Sequence, residues 1–178
     1  MKKESTELFF QEVIKYFQYL VSDFNYNLIS TDIENTDYYP DTVAIVRYLG
    51  NKVGLEVYWY LASSVISVAL IEIIKEGDFP YKKRFWGKSS GEARAIKLHT
   101  LIDMAGKDDE LMLKKPRSTK ASDVKKRRTM IDEKLSNLVK NLADVLHEQA
   151  HDILAGDTSI FSQVQKYEEE ILKKEYPY

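Results

Sequence analysis

The chain contains no cysteine among its 178 residues. That absence excludes disulfides, thiolate nucleophiles and every cysteine-ligated zinc or iron–sulfur site, and it is compatible with a reducing, cytoplasmic setting. Glycine (7) and proline (4) are sparse and form no tract, so nothing in the composition marks a long disordered region. Long apolar runs are missing too. The most apolar stretch, Val65 to Ile71, is short and interrupted by Ser67, far below the roughly 20 residues that a bilayer span needs. At the N-terminus Leu8, Phe9 and Phe10 give way at once to Gln11 and Glu12, so no signal-peptide core is expected and no membrane partner. No phosphate-binding glycine loop, dinucleotide fingerprint, serine-hydrolase elbow or EF-hand loop occurs, which removes the usual sequence support for nucleotide hydrolysis and serine hydrolase chemistry.

What is present fits a globular protein: 44% hydrophobic and 12% aromatic residues in a length suited to one domain spanning 1–178. The net charge of −2 conceals an uneven distribution. Residues 81–128 hold 15 Lys/Arg against 6 Asp/Glu, a local +9, so the remainder carries −11.

Leu8, Phe9, Val13, Phe17, Leu20, Val21 and Phe24 recur at three- and four-residue steps, predicting one amphipathic helix from Ser5 to Phe24. A short strand near Tyr26 to Ile33 follows, and Pro40 forbids a helix beyond it. Two β-branched and aromatic runs, Thr42 to Leu49 and Lys52 to Leu61, flank Gly50-Asn51, which reads as a two-residue hairpin turn with positive φ at Gly50. In that register, positions summing to 101 pair. Ala44, Val46, Val53, Leu55, Val57 and Trp59 then share one face, and Val43, Ile45, Arg47, Glu56, Tyr58 and Tyr60 the other. Ser63-Ser64 turns the chain into a third strand, Val65 to Ile74. A loop over Tyr81 to Gly91, a short helix near Glu92 to Met104 and a mobile basic linker around 105–121 lead to a long helix from about Ser122 to Ala155, stopped by Gly156. Phe161, Val164, Tyr167 or Glu168, and Ile171 mark a last helix. The resulting expectation is an α+β fold: an antiparallel meander of three to four strands with an N-terminal helix and a long C-terminal helical region packed on it.

His147-Glu148-Gln149-Ala150-His151 is an H-E-x-x-H string on a predicted helix. It resembles the motif of the zincin metalloproteases. The resemblance implies His147 and His151 as zinc ligands and Glu148 as the general base acting on a metal-bound water. Against it, Asp152 directly follows the second histidine, no third histidine lies downstream, and both imidazoles project roughly 120–160° away from the apolar stripe at about 100° per residue. They should face solvent or a covering element. The expectation is therefore no catalytic residue, no metal and no cofactor, with zinc on His147 and His151 as the alternative.

In Tyr81-Lys82-Lys83-Arg84-Phe85-Trp86 cations alternate with aromatics, and Lys125-Lys126-Arg127-Arg128 adds a second basic run. Phosphates attract such cations and bases stack on such rings, so weak nucleic-acid binding is one reading; an acidic protein partner is another. Four cations opening a helix oppose its dipole, and Glu168 to Glu170 are the intramolecular candidates to neutralise them. Glu56, Tyr58 and Tyr60 form a tyrosine-rich sheet face of the kind enriched in recognition surfaces. The leading functional expectation is a non-catalytic protein-interaction module of the immunity or antitoxin kind, with Tyr58, Tyr60, Glu56, Lys82, Lys83, Arg84 and Trp86 as its partner-binding residues. Finally, Ala143 to Leu146 and Asp152 to Phe161, a helix stop followed by a new cap and an anchoring phenylalanine, resemble the C-terminal portion of small uncharacterised bacterial proteins of helix-and-meander type. That resemblance implies a fold and an origin, and no activity.

Overall fold

A computed structural model describes residues 3–35, 42–75, 77, 79, 94–107, 110–112 and 120–175. Its elements are α1 (Lys3–Tyr16), α2 (Tyr19–Phe24), β1 (Asn27–Asn35), β2 (Thr42–Leu49), β3 (Val53–Tyr60), β4 (Val65–Glu72), β5 (Ala95–Lys97), α3 (Leu98–Ala105), α4 (Ala121–Gln149), α5 (His151–Leu154) and α6 (Ile160–Glu175). The five strands form one antiparallel sheet in chain order, β1 to β5. The fold is the expected α+β meander, with a fifth strand added. β5 has three residues, of which only Ile96 is buried, too short to show a period of two in the sequence.

The hairpin register differs from expectation in an instructive way. Val43 pairs with Tyr60 and Arg47 with Glu56, so paired positions sum to 103. Gly50 N–H donates to the Val53 carbonyl at 3.0 Å, which makes Asn51-Lys52 the turn, one position later than expected. Gly50 is not among the residues with positive φ. It is needed for space: a Cβ there would lie 2.6 Å from Cζ of Tyr26. Because the register shift is an even number, every side chain keeps its expected face.

One face of the sheet carries the main core. Ala44, Val46, Tyr48, Leu55, Val57, Trp59, Ile66, Val68 and Leu70 pack with Phe9, Val13, Phe17 and Leu20 of the N-terminal segment and with Ile131, Leu138, Val139, Leu142 and Leu146 of α4. Phe9 and Trp59 meet with ring centroids 5.7 Å apart. The expected single N-terminal helix is two helices, broken at Phe17-Gln18. Leu8 and Val21, placed by the periodicity in the buried stripe, are 46% and 47% exposed. The opposite face holds a smaller buried cluster of Val43, Ile45, Tyr58 and Ala69, with Tyr60 packed against it.

The third helix starts at Leu98, later than expected, because Ala95 to Lys97 are taken by β5 pairing to Ala69–Ile71. The long helix also ends early: Ala150, at φ −121 and ψ 17, separates α4 from α5. Within the expected basic linker Leu111 is buried, and Asn141 donates to the Glu110 carbonyl while accepting from Met112 N–H. Residues 108–109 and 113–119 of that linker lie outside the described residues.

Candidate functional site

The break at Ala150 divides the H-E-x-x-H string. His147 closes the last turn of α4 and His151 opens α5, with their ring centroids 6.0 Å apart at 86°. The element facing them is α2: Tyr19 meets His147 edge-on at 4.7 Å, and Phe24 meets His151 at 5.2 Å. The two imidazoles border an open cleft of about 420 Å³, lined also by Asp23, Phe24, Tyr26 and Lys52. Glu148 does not line it. Its carboxylate is 70% exposed and stands 3.9 Å from Lys107 Nζ, at the end of α3. Asp23, the carboxylate that does line the cleft, accepts the Ser22 hydroxyl at 2.6 Å. Among the described residues no three His, Asp or Glu side chains converge so as to hold a metal ion.

On the other side of the sheet the structure builds a charged centre around Arg47, whose side chain is 5% exposed. Its Nε donates to Glu56 at 2.8 Å, Nη1 to Asp32 at 2.8 Å and Nη2 to Glu34 at 2.6 Å. Burial works against its charge, but the hydrogen bonds and negative charge of Glu56 and Glu34 outweigh it and hold the guanidinium above its usual pKa. Asp32 and Glu34 remain 42% and 43% exposed. Of the expected partner-binding residues, Glu56 thus belongs to this centre. Tyr58 is 8% exposed and stacks edge-on with half-buried Tyr60 at 5.3 Å. Lys82, Lys83, Arg84 and Trp86 lie outside the described residues. The second basic run opens α4, where Lys125 and Lys126 are exposed and Arg127 donates to the Ser63 carbonyl. Among the described residues no ion pair joins it to Glu168, Glu169 or Glu170, and Glu168 accepts from Thr100.

Asp32 and Glu34 sit on β1, one of the two edge strands of the sheet. The Leu61 N–H bond to the Thr42 carbonyl shows that even-numbered residues of β2 direct their backbone groups toward β3. Its odd-numbered residues therefore bond to β1, and in the observed register their partners are Glu34, Asp32, Ser30 and Asn27. The intervening residues Thr31 and Ile33 must point their N–H and C=O groups away from the sheet. No described residue receives them. The Ile33 side chain is 56% exposed and that of Leu28 41%. A bulge between Leu28 and Ser30 leaves Ser30 to Asn35 as the regular stretch. Sequence reasoning saw a strand here but not that it forms the rim.

A further contact was also missed: Ser67 Oγ and His99 Nδ1 are 3.0 Å apart. This is nucleophile-and-base spacing, yet Ser67 is 2% exposed in the middle of β4, where the imidazole serves to satisfy a buried hydroxyl.

No protein family, curated protein or solved structure matches this chain. No helix among the described residues is long and apolar enough to cross a membrane.

Proposed function

We infer that this chain is a non-catalytic protein-interaction module, and that its partner is held at the β1 rim of the sheet. The observation that supports this reading is that backbone groups at Thr31 and Ile33, which no described residue receives, lie beside an exposed apolar side chain. A polar strand edge left open is a template for another chain. Tyr58, the centre of the expected tyrosine surface, has almost no area to offer. The alternative of a zinc hydrolase needs Glu148 beside a water held on His147 and His151, and that carboxylate is turned toward Lys107 instead. The nucleic-acid alternative draws Trp86, Lys82, Lys83 and Arg84 from outside the described residues, and of its second basic run Arg127 is engaged with the Ser63 carbonyl.

Incorporation of a photoreactive amino acid at position 33, in cells that make the protein natively, tests the reading. Position 140 on α4, where the Lys140 side chain is 54% exposed, serves as the control. A discrete adduct from position 33 and none from position 140 is expected; no adduct at 33 defeats the proposal. Stoichiometric zinc in purified protein, lost in the His147→Ala, His151→Ala double variant, would transfer the assignment to the metallohydrolase class.

A further inference from the structure

Resting on that reading, we propose that β1 receives its partner as an added sixth strand, and that the incoming segment alternates basic with apolar side chains. The backbone dictates the first half. Thr31 and Ile33 present donors and acceptors in the plane of the sheet, and an extended chain satisfies them where a helix cannot. The bulge between Leu28 and Ser30 confines regular pairing to Ser30–Asn35, so the docked segment is short.

The side chains dictate the second half. Asp32 and Glu34 share a single guanidinium, each through one carboxylate oxygen, and remain about two-fifths exposed. Toward a sixth strand they occupy the non-hydrogen-bonded positions, where Cα atoms approach to about 4.5 Å and side chains are closest. Lysine or arginine directly opposite completes their charge; an acidic residue there is repelled. On the other face Ile33 offers exposed apolar surface, which an apolar neighbour covers.

The same carboxylates argue against a second copy of this chain as the occupant. Antiparallel self-pairing about Asp32 sets that residue against itself, and pairing about Ile33 sets Asp32 against Glu34. Pairing about Thr31 brings Ile33 against the bulged Ile29.

The direct test uses isotope-labelled protein and two capped peptides of about eight residues, one alternating valine with lysine and the other valine with glutamate. The basic peptide is expected to shift the Thr31 and Ile33 amide signals, to slow their hydrogen exchange, and to bind about tenfold more tightly than the acidic one. Asp32→Asn with Glu34→Gln should abolish that preference. Ile33→Pro, which removes an outward donor, should abolish binding, and Thr31→Pro does the same if the first variant folds poorly. Equal affinities, no response at Thr31 and Ile33, or protection that rises with protein concentration in the absence of peptide would each overturn the proposal. An adduct at position 33 in cells whose yield is indifferent to Thr31→Pro would overturn strand addition alone and leave the interaction reading standing.

Discussion

Arg47 Nη1 lies 2.8 Å from Asp32 Oδ2 and so ties the edge strand β1 to its neighbour on the face away from the main helical core. The same guanidinium reaches Glu34 on β1 and Glu56 on β3. One buried cation therefore bridges three strands and positions both acids of the proposed docking edge.

Replacing Arg47 with Met should cost about 3 kcal/mol, because it removes the guanidinium that bridges Glu56, Asp32 and Glu34 and leaves three neighbouring carboxylates without that shared cation. Asp32→Asn or Glu34→Gln should cost less than about 1 kcal/mol, since each partner is half-exposed and solvent substitutes for the lost contact. Urea unfolding of the three variants gives the comparison. An Arg47→Met protein as stable as the wild type would show that the centre contributes nothing to the sheet.

The core makes two opposite demands on its buried side chains. Trp59 and Leu142 are 2% and 1% exposed within one cluster, and truncating either to Ala should cost at least about 3 kcal/mol in lost transfer energy and cavity formation. Tyr48 is equally buried, but its hydroxyl has no hydrogen-bond partner among the described residues, and burial pushes its pKa far up. An unsatisfied hydroxyl costs about 1–3 kcal/mol. Tyr48→Phe should therefore melt at or above the wild-type temperature, and a loss beyond about 1 kcal/mol would mean that the hydroxyl is bonded after all.

Much of this core was legible because hydrophobic period survives local error. The turn was expected one residue too early, which shifted the register by two and preserved both faces. The same error concealed the Arg47 centre. In the expected register Arg47 faces Gly54; in the observed one it faces Glu56. Gly50 is a glycine for space beneath the ring of Tyr26 instead of for a positive φ, a contact between separate segments that no local pattern encodes. The break at Ala150 was invisible for a related reason. The stripe through Leu142, Leu146, Ile153 and Leu154 continues unbroken across it, and all four are buried. The openness of β1 depends on where four other strands go, and so could be read only from the assembled sheet.

The start of α6 carries a pH dependence. Ser159 N–H donates to Asp157 Oδ1 at 2.9 Å. That backbone hydrogen bond, then the serine hydroxyl, hold the carboxyl below its ordinary value against the lesser effect of desolvation, and the charge of Lys52 adds the smallest contribution in the same direction. A depressed carboxyl contributes stability that is present above its unfolded pKa and disappears as pH falls through the folded value. Carboxyl NMR titration should place the Asp157 midpoint below the ordinary aspartate value of about 3.9. In Asp157→Asn the Ser159 amide should lose its acid transition. A midpoint at or above the ordinary value would show that the Ser159 hydrogen bond does not form.

Charge separates the interaction reading from a nucleic-acid one. Residues 81–128 carry +9, but the rest of the chain carries −11, so the molecule as a whole should be drawn only weakly to a polyanion. Counterion release makes any phosphate-mediated affinity fall steeply with salt, with a slope set by the number of phosphates contacted. Contact through Ile33 and the backbone of β1 should weaken far less, since apolar burial is not screened by ions. Labelled single-stranded DNA and RNA titrated at two salt concentrations are expected to bind weakly, without sequence preference, and to be released at the higher salt. Trp86→Ala should change this little, because Lys82, Lys83 and Arg84 would remain to supply the attraction. Tight, sequence-selective binding at physiological salt that is lost in Trp86→Ala would require base stacking on that ring and would make this chain a nucleic-acid reader instead.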